Sequence, residues 1–215
     1  MGGPLWRGGA PLLLASTSPT GLALLRAVGL DPDTEAPGVD EREVEAALPR
    51  ADPAALAARL AEAKALAVSA RRPGRVVVGA DQTLACEGRL LHKPGDEGEA
   101  RAQIAALAGR CHVLHSAAAI ARDGGLLRTL EAEARLLMRP LDAAAVARYV
   151  VLAGPGATAS VGGYQVEGVG MHLFERIEGD HATILGLPLL PLLAALRDLD
   201  LLACCCCFLN LCVTV

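Results

Sequence analysis

The sequence predicts a mixed α/β domain, and three observations lead to that expectation. Short apolar runs with strand character alternate with segments whose apolar residues recur at helical spacing. The 215 residues are 53% hydrophobic, which is enough for a sizeable core. No internal repeat and no long linker divides the chain. Aromatic residues make up only 2%, so Leu, Val and Ala must fill that core.

Charge and cysteine content argue against several classes of protein. The formal net charge is −4 with acids and bases mixed along the chain, whereas a nucleic-acid surface needs clustered Lys and Arg. Cys86 and Cys111 are isolated, as expected for reduced thiols, and no convincing signal peptide is present. Residues 200–215 form an apolar, Cys-rich tail that is shorter than the roughly 20 residues of a membrane-spanning helix. We therefore expect a cytoplasmic protein with no nucleic-acid or membrane partner and a tail outside the chemistry.

The first elements predict a possible anion site. A strand at residues 12–15 leads into a hydroxyl-rich turn, and Ser18 and Pro19 suit the N-cap and first position of a helix that Gly29 ends. The N-terminus of such a helix offers free backbone N–H groups to an anion, with Ser16, Ser18 and Thr20 beside them. An ordinary capped helix explains the same pattern.

The central stretch, residues 75–94, predicts a buried strand followed by a hairpin. Val76 to Val78 form the strand, and Asp81 is expected at its end, where ligands gather in α/β folds. A buried carboxylate needs a partner, and the hairpin can return Lys93 towards it. This pairing suits a metal-bound polyphosphate, although a purely structural Asp–Lys pair remains the alternative. A long helix over residues 52–71 carries Lys64 one position from its apolar stripe, where it leans over a cleft or snorkels.

The rest of the chain predicts further helices and strands. Helices are expected at residues 96–108, 142–152 and 188–199, and strands at 111–121, 126–138 and 165–177. Gly154 to Ala159 resembles a dinucleotide fingerprint, but no helix follows the glycines.

Several catalytic chemistries lack their motifs. There is no P-loop and no Gly-x-Ser-x-Gly, and His112 and His115 fall on opposite faces of a strand, which makes a zinc site improbable. Acids and lysines remain at strand ends and helix starts: Glu41, Asp81, Glu167, Lys64 and Lys93. Hard oxygen ligands favour Mg²⁺ or Mn²⁺ bridging carboxylates and substrate phosphates.

An ordered set of motifs resembles the Maf nucleoside triphosphate pyrophosphatases. In chain order the motifs are LASTSP (14–19), VDE (39–41), AEAKA (61–65), GADQ (79–82), KP (93–94), VEGVG (166–170), LFERIEGD (173–180) and ILGLPL (184–189). The resemblance covers nearly all of residues 11–199, predicted as one domain. It implies a two-lobed α/β fold with the nucleotide in a cleft between lobes. It also implies metal-dependent cleavage between the α- and β-phosphates, which removes noncanonical nucleotides.

The resemblance also implies a role for each matching residue. Asp81 matches the proton acceptor for a water that attacks the α-phosphorus. Lys64 and Lys93 match positions that neutralise phosphate charge, and Glu41 matches an acid that holds the metal or orients water. Asp81 is expected to share the metal with Glu41. A homodimer is plausible by the same resemblance.

Two positions bear on the substrate. The pair Gln82 and Glu167 resembles the pair of residues found in the branch of the family that acts on 7-methyl-GTP. The dTTP/UTP branch carries Thr and Gln at these positions. The positive charge of an N7-methylated guanine suits Glu167, but Glu167 also suits the N–H donors of unmodified guanine.

One departure from the family pattern is plain. The family usually has arginine directly after the Ser-Pro segment, whereas this chain has Thr20-Gly21-Leu22. Arg42 or Arg176 is a candidate to compensate. The departure keeps a second hypothesis open, a weakly active nucleotide-binding regulator of cell division.

Overall fold

The computed structural model describes residues 5–48 and 52–203. These residues form a mixed α/β structure around one seven-stranded sheet. The strands are β1 (Leu13–Ala15), β2 (Asp33–Thr34), β3 (Val76–Cys86), β4 (Arg89–Leu91), β5 (Cys111–Arg122), β6 (Gly125–Met138) and β7 (Phe174–Glu178). The helices are α1 (Pro19–Ala27), α2 (Glu41–Ala46), α3 (Pro53–Arg71), α4 (Glu97–Leu107), α5 (Ala143–Ala153), α6 (His181–Ile184) and α7 (Leu189–Asp198). The predicted fold class is confirmed, whereas the division into two lobes stays a prediction.

The sheet has the order β2-β1-β3-β5-β6-β7, with β4 also paired to β3. β1 runs parallel to β2 and β3, and the remaining pairs are antiparallel. β1 and β4 share one edge of β3, since β1 pairs with residues 77–79 and β4 with residues 84–86. Among the described residues, no strand pairs with the edge between them, residues 80–83, on that side. The other edge of β3 pairs with β5 throughout residues 76–85.

Alternate residues of β3 face opposite sides of the sheet, and each side has its own core. On one side α3 packs its alanines against β5. On the other side two apolar clusters lie at the two ends of the sheet. One contains residues of α4, α5 and the Cys86 end of β3, and the other contains residues of β1, α1, α7 and the Val76 end of β3. Gln82 and Ser116 lie on this side, between residues that belong to the two clusters.

Gly79 allows α3 to lie directly on β3. A Cβ at this position would come within 2.3 Å of the Ala61 carbonyl oxygen and 2.6 Å of the Ala65 nitrogen. Only a residue without a side chain permits this approach of helix to strand. Lys64 lies on the same stretch of α3, and the close approach therefore brings it to the sheet.

The predicted helix starts are confirmed by their caps. Asp96 and Asp142 accept the backbone N–H three residues on at the starts of α4 and α5. Pro19 and Pro53 occupy the first turns of α1 and α3. Ser18 is the N-cap residue of α1, although its side chain makes no capping hydrogen bond there.

Two sequence-based expectations are wrong. Asp81 does not end a strand, because β3 continues to Cys86 with Asp81 opposite Ala117 of β5. Residues 165–177 are not one strand: residues 169–173 form a 3-10 helix, and only 174–178 pair, as β7. Gly170 explains the compact turn, because a Cβ there would lie 2.3 Å from the Gln165 carbonyl oxygen.

The fold extends past the predicted domain boundary at residue 199. Leu201, Leu202 and Ala203 are buried, and Leu202 bridges to Trp6. The rest of the predicted tail, residues 204–215, lies outside the described residues. Among the residues that are described, no helix combines the length and apolar character needed to cross a membrane.

Candidate functional site

A cleft of about 690 Å³ lies at the unpaired edge of β3. Residues 80–83 form its floor, the turn after β1 forms one wall, and residues 90–93 at the end of β4 form another. α2 and α3 close the remaining side with Glu41 and Lys64. Residues 159–161 and 185–187 also line the cleft, which therefore collects residues from seven separate parts of the chain at the place where β1 and β4 both end.

Three charged side chains meet in this cleft. Lys64 Nζ donates to Asp81 Oδ2 at 2.5 Å and lies 2.6 Å from Glu41 Oε1. The Lys64 and Asp81 side chains are each 13% exposed, whereas Glu41 is 58% exposed. Asp81 Oδ1 accepts from the Gln82 backbone N–H at 2.7 Å. The ion-pair partner of Asp81 is thus Lys64 of α3, whereas Lys93, which the hairpin suggested, lines the same cleft without making that pair.

Burial and the neighbouring charges shift the pKa values of Asp81 and Lys64 in opposite directions. Burial raises the pKa of Asp81, and the neighbouring Lys64 ammonium offsets that rise only in part. Burial acts to lower the pKa of Lys64, but Asp81 and Glu41 outweigh it, so that its pKa is raised. The site therefore combines a carboxylate of enhanced basicity with a firmly held ammonium.

The donor set fits a divalent metal in the presence of a phosphate ligand. Glu41 and Asp81 converge on Lys64, which brings two carboxylates to one place. Within residues 5–48 and 52–203 no cluster of three or more His, Cys, Asp or Glu is close enough to hold a metal alone. Mg²⁺ in nucleotide sites usually takes one or two protein carboxylates and completes its shell with phosphate oxygens and water.

The turn after β1 presents the hydroxyls that the sequence predicted. Ser16 Oγ accepts from the Ser18 backbone N–H at 3.0 Å, which curls the chain before α1. Ser16 and Ser18 line the cleft, whereas Thr20 lines a side pocket of about 150 Å³. Ser18 and Gln82 line both cavities, so the two are adjacent.

Two cationic side chains besides Lys64 line the cleft. Arg42, in the first turn of α2, is held in place by Asp40, whose carboxylate accepts the Arg42 backbone N–H at 2.9 Å. Lys93 lies on the opposite wall, after β4. Of the two arginines that were candidates to compensate for the missing one, Arg42 lies in the cleft, whereas Arg176 lies beside Glu178, to which it pairs at 3.2 Å.

The side pocket contains the predicted specificity residues. Gln82 and Glu167 both line it, with Glu167 exposed to solvent. The pocket is also lined by Ser160, Tyr164 and Gln165, which no sequence motif predicts as site residues. The same holds for Ser116 and Thr183, which hold the Gln82 side chain. Only the register of β3 on β5 places Ser116 beside Gln82, and no local motif marks it.

The fold and the cleft define a mixed α/β protein in which two carboxylates, three cationic side chains and the start of α1 surround one cavity. Residues 11–199 match the model of the family described as "Maf-like protein". The chain is 51% identical over 199 residues to a protein from Nitrobacter winogradskyi named "Nucleoside triphosphate pyrophosphatase", an alignment that covers 93% of this chain and 98% of that protein. It is 52% identical, with the same coverage, to a protein of the same name from Rhodopseudomonas palustris strain BisB18.

A further relative, from Brucella abortus, is named "7-methyl-GTP pyrophosphatase". It is 50% identical over 188 residues, which cover 86% of this chain and 94% of that protein. These matches show that the chain belongs to the Maf-like family.

Proposed function

We propose that this protein hydrolyses nucleoside triphosphates between the α- and β-phosphates, releasing a nucleoside monophosphate and pyrophosphate. The observation that carries the proposal is the meeting of Asp81, Lys64 and Glu41 in one cleft beside the N-terminus of α1. The names of the relatives at about 50% identity support the same activity.

The triphosphate is assigned to the part of the cleft between α1 and β4. The free N–H groups at the start of α1 and the Ser16 and Ser18 hydroxyls donate to phosphate oxygens. Lys93 and Arg42 supply positive charge from opposite walls. Since Lys64 is held by two carboxylates, Lys93 and Arg42 are the cations best placed to bind the triphosphate.

Asp81 serves as the general base in this proposal. It takes a proton from a water whose oxygen attacks the α-phosphorus, and the bond to the α–β bridging oxygen breaks, so that pyrophosphate leaves. Lys64 orients the Asp81 carboxylate and stabilises the negative charge that develops nearby. Glu41 and Asp81 would hold a divalent cation, Mg²⁺ or Mn²⁺, which supplies charge neutralisation at the phosphates when bound.

We further propose 7-methyl-GTP as the preferred substrate. Gln82 and Glu167 line the side pocket next to the proposed phosphate site, where a base would lie. The carboxylate of Glu167 complements the positive charge that N7 methylation gives guanine. The name of the Brucella relative agrees with this assignment. In the cell such an enzyme would remove noncanonical nucleotides.

The test is a panel of 7-methyl-GTP, GTP, UTP, dTTP and CTP, with pyrophosphate release measured in Mg²⁺ or Mn²⁺. We expect the fastest turnover with 7-methyl-GTP and none after chelation of the metal. Asp81→Asn should lower kcat by about 10²-fold or more, which is the usual contribution of a positioned base. Asp142→Asn is the matched control, because Asp142 caps α5 outside the cleft and Asn also caps helices.

Each contrary outcome has its own meaning. Preference for UTP or dTTP keeps the activity but overturns the choice of substrate. An Asp81→Asn variant as fast as the wild type overturns the mechanism. Nucleotide binding without any hydrolysis would favour the nucleotide-binding regulator instead.

A further inference from the structure

The Gln82 side chain lines the cleft and is held there by three partners. Its Nε2 lies 2.8 Å from Ser116 Oγ, 2.9 Å from the Thr183 carbonyl oxygen and 3.1 Å from the Ile184 carbonyl oxygen. Both carbonyls belong to the last residues of α6. The three contacts join β3, β5 and α6 at the side chain of one glutamine.

These partners fix which end of the amide faces the protein. A main-chain carbonyl oxygen carries no hydrogen and can only accept, so the atom that faces two of them must be the NH₂ group. The two Gln82 N–H bonds are then consumed by Ser116 and by the α6 carbonyls. The amide oxygen is the remaining polar atom, and it accepts no hydrogen bond from any of the residues that the structure describes.

The Ser116 hydroxyl makes this orientation rigid. Ser116 lies directly opposite Gln82 in the β3–β5 register and is 1% exposed. Its hydroxyl donates its own hydrogen to the Thr183 carbonyl oxygen at 2.7 Å, which leaves only a lone pair to face Gln82. Asp180 fixes α6 in turn, since its carboxylate accepts the Thr183 backbone N–H at 2.9 Å. The orientation of Gln82 therefore depends on buried, mutually satisfied groups.

We propose that Ser116 is a positioning residue for substrate selection: together with the two α6 carbonyls it holds Gln82 so that only the amide oxygen is offered to the nucleotide. The proposal rests on the function proposed above. It deepens that function by assigning the chemistry of base recognition. A fixed amide oxygen accepts a hydrogen bond from an N–H group of the base and repels a base that presents a lone pair there. A glutamine that could flip would present either its oxygen or its NH₂ group and would tolerate both kinds of base. The ligand class is thus a nucleotide whose base presents an N–H donor to Gln82.

The test compares two triphosphates. GTP has N–H donors on its base, whereas the base of purine riboside triphosphate has none. The measured quantity is the ratio of their kcat/KM values, which does not depend on the fraction of active protein. Ser116→Ala should lower this ratio about three- to tenfold, as expected for the loss of a neutral hydrogen bond that orients the acceptor. Ser116→Thr keeps the hydroxyl and should restore the ratio. The ratio isolates orientation because a general loss of activity lowers both rates alike.

Ser69→Ala is the matched control. Ser69 is also a fully buried serine with a hydrogen-bonded hydroxyl, but its partner is the Gly124 backbone N–H, distant from the cleft. The ratio should be unchanged in this variant. An unchanged ratio in folded Ser116→Ala overturns the proposal. Should Ser116→Ala fail to fold, Gln82→Leu is measured instead, and an unchanged ratio there overturns the proposal equally.

Failure of the proposed function gives a different result. If the wild-type protein releases no pyrophosphate from any triphosphate, the activity is refuted, and the two nucleotides are compared by their dissociation constants. A Ser116-dependent preference in binding then supports the positioning role without the activity. Equal dissociation constants for the two nucleotides, in the wild type and in Ser116→Ala, refute that role as well.

Discussion

At the scale of single residues, the cationic side chains of the cleft differ in whether a carboxylate already pairs with them. Lys64 is held by Asp81 and Glu41, at 2.5 and 2.6 Å. Arg42 has its backbone fixed by Asp40 and its side chain on the wall of the cleft. Phosphate oxygens must therefore compete with Asp81 and Glu41 for Lys64. Among the described residues, no carboxylate forms an ion pair with Arg42, so phosphate meets no such competition there. This difference makes Arg42 the more sensitive probe of phosphate binding.

We predict that Arg42→Gln lowers kcat/KM for nucleoside triphosphates about ten- to hundredfold. Loss of a hydrogen bond to a charged group typically costs about 1.5–3 kcal/mol, and each 1.4 kcal/mol is about a factor of ten. Steady-state kinetics of pyrophosphate release measures the change. Arg101→Gln is the control, since Arg101 is exposed on α4 outside the cleft. Equal kinetics for the two variants would remove Arg42 from the phosphate site.

The residues of the cleft differ in how far the sequence could reveal them. A carboxylate after a buried strand needs a partner, which predicts Asp81 as a site residue, and Asp81 does pair with Lys64. The identity of that partner depended on the packing of α3 on β3, and the hairpin suggested Lys93 instead. Ser116 could not be predicted for a similar reason, because it lies 34 residues from Gln82 in the sequence and their contact is set by the register of β3 on β5.

At the scale of elements, the approach of α3 to β3 positions the Lys64–Asp81 ion pair. The backbone of α3 lies so close that Gly79 has no room for a Cβ. This contact turns Lys64 towards Asp81 on the same face of β3. The helix, the strand and the ion pair therefore depend on one glycine.

We predict that Gly79→Ala lowers the free energy of unfolding by about 1–3 kcal/mol or more, because the methyl group forces the helix away from the strand. Urea unfolding followed by circular dichroism measures the loss. Activity should fall as well, since Lys64 moves with α3. Gly9→Ala is the control, as a Cβ at Gly9 meets nothing within 4 Å, and its stability should change by less than about 0.5 kcal/mol. Equal stabilities for the two variants would show that α3 adjusts freely.

Elements with strong local signals were predicted well, and those shaped by glycine were not. Helices α3, α4 and α5 carry Asp at the N-cap position, and the sequence placed their starts within one residue. The sequence predicts that the strand ends at Asp81, yet Gly79 and Asp81 lie within one continuous strand, where Gly79 permits close packing. The sequence predicts one strand over residues 165–177, yet Gly170 permits a tight 3-10 turn there. A glycine marks a close approach or a turn, and only the tertiary structure shows which.

At the scale of the whole molecule, five polar side chains are buried among the described residues, those of Ser69, Thr83, His112, Ser116 and Thr183. His112 is the only one of the five that is ionisable in the acid range. It is fully buried among the residues of the first cluster, where its ring lies near Tyr164 and Phe174. Its Nε2 shares a hydrogen bond of 2.7 Å with the Tyr164 hydroxyl. Its Nδ1 is buried without a partner among the described residues.

This burial links the stability of the fold to pH. Burial lowers the pKa of His112 from 6.5 to about 4, because a protonated ring would place a second N–H in the core with no acceptor. The unfolded chain then binds one more proton than the native protein between these two values. Stability contributed by the neutral histidine is therefore complete above about pH 6.5 and is lost as the pH falls towards 4.

We predict that the free energy of unfolding falls by about 3 kcal/mol from this group between pH 6.5 and pH 4, on the basis of 1.36 kcal/mol per pKa unit. Urea unfolding at a series of pH values measures the slope. His112→Gln should flatten the slope, because glutamine does not titrate. His115→Gln, on the opposite face of the same strand, controls for the replacement of a strand histidine. If both variants keep identical slopes, the acid sensitivity of the fold arises elsewhere, and the buried histidine is protonated as easily in the native protein as in the unfolded chain.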